Sequence, residues 1–252
     1  VSERNDPALQ KIEHVWALLR RLSYRRADVV TANTEGVIQS LSTIGCWRRL
    51  KLLPNPLPSS LALNSMSVEP GLREKEVLAL ARLQPQKGLD VLLRAFACIA
   101  LSSRQGWRLT LVGEGPERAN LERLCNDLEL NEIVRFEGFR SDPHTFLRRA
   151  SIFALPSRFE GMPNALLEAM ASGLPSVVSD ASPGPLEVIH DGVEGLVVPS
   201  EDVMSLAFAL ERLMSDPSLR MRLGSAAKVA LAALDWSVLD PRWRSVLALP
   251  PS

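Results

Sequence analysis

Two hydrophobic patterns alternate along the chain. Short continuous apolar runs are separated by segments in which apolar residues return every three or four positions. A continuous run bounded by turn residues reads as a strand buried on both faces, and the longer spacing reads as an amphipathic helix. From residue 76 the alternation is regular. EVLALARL is a strand, GLDVLLRAFACIAL a helix, WRLTLVGEG a strand and ERANLERLCNDL a helix. IVRFEGF is a strand, DPHTFLRRA a short helix, SIFALPS a strand, and Pro163 to Ser172 a helix. PSVVSD is a strand, PLEVIHD a helical turn and EGLVVP the last strand. DVMSLAFALERLMSD and SLRMRLGSAAKVALAAL then close the sequence as helices. The order predicts a parallel sheet covered on both faces, an α/β doubly wound fold without internal repeats.

The region before residue 76 is less regular. HVWALLRRLSYRR, His14 to Arg26, predicts a basic helix, followed by a short buried strand over Asp28 to Ala32. EGVIQSLSTIGC predicts a helix ending at Gly45, and RLKLLPNPLP a short strand running into prolines. Residues 57–75, rich in serine, proline and glycine, predict a mobile linker. The chain starts at Val1 rather than at methionine and is expected to be a piece of a longer protein.

In open parallel sheets, ligands bind outside the carboxyl ends of the strands. The residues following the strands are therefore the candidates. They are Arg82 and Lys87, Gly113 and Gly115, Gly138, Phe139 and Arg140, the segment from Arg158 to Gly161, and Ser182 to Gly184. The opposite edge shows mostly surface residues. Pro163 suits a first helical turn, where its missing N–H costs nothing. Gly161 before it lets backbone approach a ligand closely. The free N–H groups and dipole of that helix favour an anion. Arg82 and Lys87 add two mobile positive charges, so a diphosphate fits better than a lone carboxylate. GEGPE is weaker, because Arg118 stands where the dinucleotide fingerprint needs its last glycine. It reads equally as a tight turn or a phosphate cradle.

The helix from Pro163 has almost no polar face, yet it carries Glu168, and Glu160 precedes it with seven residues between the two. A carboxylate facing a pocket accepts hydrogen bonds from adjacent hydroxyls such as those of a ribose. The plain alternative is a salt bridge to a buried arginine, or an exposed position.

The bulk numbers exclude some classes. Among 252 residues, lysine plus arginine and aspartate plus glutamate are balanced at 29 each, which argues against a nucleic-acid partner. Cys46, Cys98 and Cys125 are too widely spaced for a metal cluster or a disulfide framework and read as reduced cytoplasmic thiols. His14, His144 and His190 show no metal-ligand spacing, and no D-x-D, Walker or G-x-S-x-G motif is present. A metal-held diphosphate is therefore not expected. No apolar run is long enough to span a membrane. The basic helix is a candidate for contact with anionic lipid at the inner face of the plasma membrane, the plain alternative being a solvated face.

Taken in order, ARLQPQKG, LVGEGPE, FEGF, ALPSRFEGMPNALLEAMASGLPSVVSD and GPLEVIHDGVEGLVVP resemble the retaining nucleotide-sugar glycosyltransferases of family 4 (glycosyl transferases group 1), of the bacterial polysaccharide and lipid-linked-glycan type. Glu160 and Glu168 match that family's E-x7-E motif. The resemblance covers about residues 28–245 and implies the C-terminal, donor-binding half of a two-domain GT-B architecture. It divides the chain into residues 1–56, the tail of the acceptor domain; the linker 57–75; a Rossmann-like donor-binding domain, 76–230; and a C-terminal helix, 231–252, packing back toward the N-terminal part. It implies that Arg82 and Lys87 hold the donor diphosphate, Glu168 the ribose and Glu160 the sugar, with catalysis resting on Glu160, Arg82 and Lys87. Gly161, Met162, Pro163, Asn164 and Gly113 would line the sugar and phosphates, and Phe139 and Arg140 the base. Arg4 stands where many relatives have a histidine facing the sugar, and would bind sugar or phosphate but make a poor base. The donor is a substrate, and no cofactor is implied. The implied acceptor is a glycan or polyprenyl-linked glycan, and most of its site lies in residues this chain lacks. A nucleotide-sugar epimerase and a non-catalytic nucleotide-binding module remain alternatives.

Overall fold

The computed structural model describes residues 1–5, 7, 13–45, 47–57 and 73–248. Cys46 and most of the expected linker, residues 58–72, lie outside the described residues.

Three strands, β1 (Ser2–Glu3), β2 (Val30–Ala32) and β3 (Leu50–Leu52), form a small parallel sheet in that order. Helices α1 (His14–Arg26) and α2 (Glu35–Ile44) connect them. Thr34 starts α2 by accepting the Val37 N–H through its hydroxyl at 3.1 Å. Val30, Ala32, Val37 and Leu41 make a small core of their own.

The larger unit has strands β4 (Glu76–Leu80), β5 (Arg108–Val112), β6 (Val134–Gly138), β7 (Ile152–Leu155), β8 (Ser176–Ser179) and β9 (Gly195–Val198). All pair in parallel, in the order β6-β5-β4-β7-β8-β9. Strand direction of winding therefore reverses between β4 and β7, and a crevice opens there at the carboxyl edge.

Period-two alternation sorts each strand between two cores. On β4, Val77 and Ala79 join Phe96, Leu109 and Leu210 on one face, while Leu78 and Leu80 join Phe153, Leu166 and Met170 on the other. Helices α3 (Leu89–Cys98), α5 (Arg118–Asp127) and α9 (Val203–Ser215) cover the first face. Helices α6 (His144–Arg149) and α7 (Asn164–Ala171) cover the second. The remaining helices are α4 (Leu101–Arg104), α8 (Pro183–Leu186), α10 (Pro217–Ala230) and α11 (Trp236–Leu247).

Several expected elements divide. The helix after β4 breaks at Ile99, whose backbone is extended, and α4 is a separate turn. Pro163 is extended at the cap of α7 rather than in its first turn, although its carbonyl accepts the Leu166 N–H at 3.0 Å. The described ends of the expected linker are anchored. Leu57 is buried and donates its N–H to the Leu234 carbonyl, and Arg73 donates to the carbonyls of Leu147, Ala150 and Ser172.

The two units touch at backbone level. The Gly36 N–H donates to the Glu187 carboxylate at 3.0 Å. A Cβ on Gly161 would stand 2.0 Å from the Arg4 carbonyl oxygen. Arg4 also stacks over Trp243 of α11, 5.7 Å from the ring centre.

Candidate donor site at the carboxyl edge

The loop after β4 and the loop after β7 face each other across the winding reversal, and they are zipped together. The Arg158 N–H donates to the Gln86 carbonyl at 2.7 Å, and Gln86 Nε2 donates to the Phe159 carbonyl at 2.8 Å. Between these bonds, Lys87 Nζ reaches Glu160 Oε1 at 2.6 Å. Glu160 is buried, its side chain 6% exposed. It also accepts the Ser157 hydroxyl at 2.7 Å, and its N–H donates to Ser182 Oγ at 2.8 Å. Lys87 is thus a held charge, not the mobile one that loop position suggests. Arg158 is neutralised outside the pair. It makes two 2.9 Å bonds to Asp90 and a further ion pair to Glu201.

Beside this pair lies a groove of about 530 Å³, lined among others by Arg82, Gly113, Phe139, Arg140 and Pro143. Arg82 is exposed and has no ion pair among the described residues. The Phe139 ring is 76% exposed at the groove's lip. Arg140 is paired with Glu137 at 2.6 Å. Gly113 has φ of 140°, and a Cβ there would lie 1.9 Å from the Ala81 carbonyl oxygen. This glycine lets two loops close on each other and makes the groove's floor.

Glu168 lies on α7, half-buried, and its carboxylate has neither an ion pair nor a hydrogen bond among the described residues. The expected alternative, a structural salt bridge to a buried arginine, is not what the fold builds. Burial pushes its pKa above the ordinary carboxylate value, and the charge of nearby His144 pulls it partly back. His144 Nδ1 is itself buried without a hydrogen-bond partner among the described residues. Reading the histidines for metal spacing alone passes over this neighbour. The signal for it was its place one residue after Pro143, which lines the groove, at the start of α6.

At the start of α7 a third set meets. Asn55 Nδ2 donates to the Met162 carbonyl at 3.2 Å and to Asn164 Oδ1 at 2.7 Å. Its Oδ1 accepts from Arg4. Met162 and Pro163 are buried. Gly161 does allow a close backbone approach, and the group that fills its Cβ direction is the Arg4 carbonyl. The candidates therefore form three adjoining groups rather than one lined pocket: Arg82, Gly113, Phe139 and Arg140; Lys87 and Glu160; and Arg4 with the α7 start. Ser182, expected at this edge, supports them, as do Asn55 and Ser157, which were not anticipated.

The family Glycosyl transferases group 1 matches residues 66–230, which contain both facing loops and the groove. The chain belongs to this family. It is 33% identical over 216 residues to the lipopolysaccharide core biosynthesis glycosyltransferase LpsE of Rhizobium meliloti, covering 84% of this chain and 62% of the relative. A Campylobacter jejuni relative is named GalNAc-alpha-(1->4)-GalNAc-alpha-(1->3)-diNAcBac-PP-undecaprenol alpha-1,4-N-acetyl-D-galactosaminyltransferase; identity is 27%, over 98% of this chain and 67% of that one. Among solved structures, Anabaena Alr3699/HepE in complex with UDP superposes with a TM-score of 0.85 at 20% identity, over 98% of this chain and 71% of that one. The group 1 chain thus shares the GT-B glycosyltransferase fold and spans about three-fifths of the LpsE relative's length.

Proposed function

We propose that the chain is the donor-binding half of a retaining glycosyltransferase that moves a hexose or N-acetylhexosamine from a UDP-sugar to a glycan or lipid-linked acceptor. The observation that carries this reading is the Lys87–Glu160 pair spanning the winding reversal, beside the unpaired Arg82. Cleaving the sugar–diphosphate bond places negative charge on the departing phosphate. Lys87, held by Glu160, and the N–H groups at the start of α7 are fixed donors for that charge, and such preorganised donors act without reorganising during reaction; the exposed Arg82 adds a further positive charge. Glu160 holds the ammonium in place and presents its carboxylate beside the sugar. Retention rests on the E-x7-E resemblance and has the acceptor oxygen arrive on the face the diphosphate leaves. The named relatives support polysaccharide or lipid-linked acceptors. On α1, exposed Val15, Trp16, Leu18, Leu19 and Leu22 beside Arg21, Arg25 and Arg26 support contact with an anionic bilayer surface.

Incubation with UDP-sugars tests the reading. UDP binding, and donor cleavage by the chain joined to its acceptor half, are expected to persist in EDTA, because the two cations stand where a metal would otherwise be needed. Activity lost to EDTA and restored by manganese overturns the phosphate assignment. Inversion of the product's anomeric centre overturns retention, and an epimerised sugar without transfer selects the epimerase.

Glu168→Gln separates binding from stability. A carboxyl whose folded pKa is raised binds protons more readily folded than unfolded. Its favourable contribution is present below the unfolded pKa and is lost as pH rises through the folded one. At neutral pH the charged Glu168 is therefore a cost to the fold, and glutamine should raise the melting temperature. If the carboxylate grips ribose hydroxyls, UDP affinity should fall about ten- to a hundredfold, from loss of a charged hydrogen bond worth roughly 1.5–3 kcal/mol. Unchanged UDP affinity by calorimetry removes Glu168 from the nucleotide site.

A further inference from the structure

The amino edge of the large sheet, opposite the donor crevice, is expected from the sequence to show mostly surface residues. It carries a groove of about 560 Å³. Its lining includes Arg73, Lys75, Arg220 and Lys228, with Ser172 and Ser225 between them, and no carboxylate among the described residues. The cations come from distant stretches. Lys75 precedes β4, Ser172 precedes β8, and Arg220 and Lys228 lie on α10. A strand of five residues spans about 16 Å, so this groove and the donor crevice lie on opposite sides of the sheet.

None of the four cations has an ion pair among the described residues. The Arg73 guanidinium donates only to backbone carbonyls, those of Leu147, Ala150 and Ser172 among them. Burial pushes its pKa down to about 10, and no acid offsets that. Arg220 donates to the carbonyls of Leu213 and Met214 and stacks over Trp107, 5.4 Å from the ring centre; burial lowers its pKa and the Asp216 charge pulls it partly back. Lys75 and Lys228 have no ion pair among the described residues. Lys228 is half-buried, its stem lying close over Gly173. The nearby acids are engaged. Glu74 faces Arg108 and Arg149, Glu76 is paired with Arg149, and Asp216 accepts the Leu219 N–H at 2.9 Å. A half-buried guanidinium held by carbonyl dipoles, as Arg73 is, still lacks a paired counter-charge among the described residues, and an anion reaching it gains from the lowered local dielectric. Two guanidinium groups fixed by carbonyls and two lysines on separate elements make a frame for several phosphate oxygens rather than for one carboxylate.

We infer that the amino-edge groove binds a polyvalent phosphate, carried either by a soluble phosphorylated molecule or by an anionic lipid headgroup. This does not depend on the donor site. The test uses the intact chain, inorganic pyrophosphate as the soluble probe, and vesicles of phosphatidylcholine with and without phosphatidic acid. The variant Lys75→Glu/Lys228→Glu keeps the two arginines that hold the fold, and Arg94→Ala, an exposed cation of α3 outside both grooves, serves as the control. Pyrophosphate should bind the wild type and Arg94→Ala alike by calorimetry, and at least tenfold more weakly to the double variant. It should also slow amide exchange in residues 217–228 of the wild type, a readout that stands even if the double variant unfolds. Vesicle binding that needs phosphatidic acid and falls in the double variant, without pyrophosphate binding, assigns the lipid source. Neither probe binding at physiological salt, or a double variant within twofold of wild type for both probes, overturns the site.

Discussion

Lys87→Ala should unfold at a markedly lower temperature and lose most turnover, for two separable reasons. The first is the carboxylate left behind. Glu160 is buried, and removing one member of a buried ion pair costs about 3–5 kcal/mol, because the remaining charge stays desolvated without its partner. For a chain of this size each kcal/mol shifts the melting temperature by roughly 2–4 °C. The second reason is the proposed role at the diphosphate. Loss of one fixed donor to growing negative charge typically costs about 10²–10³ in rate. Adding Glu160→Gln separates them. A neutral amide still accepts the Ser157 hydroxyl but needs no cation, so the double variant should recover most of the lost stability and none of the turnover. Lys87→Arg should restore the melting temperature better than the rate, since a planar fork does not fill the place of a compact ammonium. These are measured by thermal melts and by single-turnover donor cleavage in the chain joined to its proposed acceptor half. A single alanine variant with normal kcat takes Lys87 out of the reaction and leaves it as a structural partner of Glu160.

Gly113→Ala is the second severe substitution. It places a side chain at φ of 140°, a region L-residues occupy at a cost of about 1–3 kcal/mol. It also drives a Cβ to within 1.9 Å of the Ala81 carbonyl oxygen, where relief requires backbone movement. Overpacking of that kind adds about 1–3 kcal/mol. Gly192→Ala is the matched control. Gly192 also has positive φ, 73°, but a Cβ there meets nothing within 4 Å. It should cost only about 1–2 kcal/mol. Urea titration of the pair isolates the clash, and UDP calorimetry should show weaker binding for Gly113→Ala alone. Equal midpoints for the two variants would falsify the idea that close loop packing builds the groove's floor.

Much of this could be read before the fold was known. Strand runs such as EVLAL and SIFAL are continuously apolar because both sheet faces are covered, so local pattern and tertiary burial agree. The loop candidates Arg82, Lys87 and Glu160 follow from that reading, since residues after parallel strands must gather at one edge. Pairing across 73 residues did not follow from it. Neither local pattern nor spacing says that Lys87 meets Glu160 while Arg158, two residues away, is claimed by Asp90 and Glu201. The same limit hid the meaning of Gly161. A glycine before a helix reads as room for a ligand, and only the path of the N-terminal segment shows the Arg4 carbonyl in that room. The amino-edge groove was illegible for the strongest form of this reason. Its four cations come from two stretches far apart in sequence, residues 73–75 and helix α10, and have no shared motif.

The three-way contact of Arg158 with Asp90 and Glu201 gives the donor crevice two kinds of fastening. Its rim is joined by charges within reach of water, Arg158 being 29% and Glu201 54% exposed. Its floor is joined by steric fit between backbones at Gly113 and Gly161. Dissolved salt weakens the first and hardly touches the second. Ionic strength therefore acts as a selective solvent for the rim, loosening the loops that carry Lys87 and Glu160 while the sheet beneath keeps its shape.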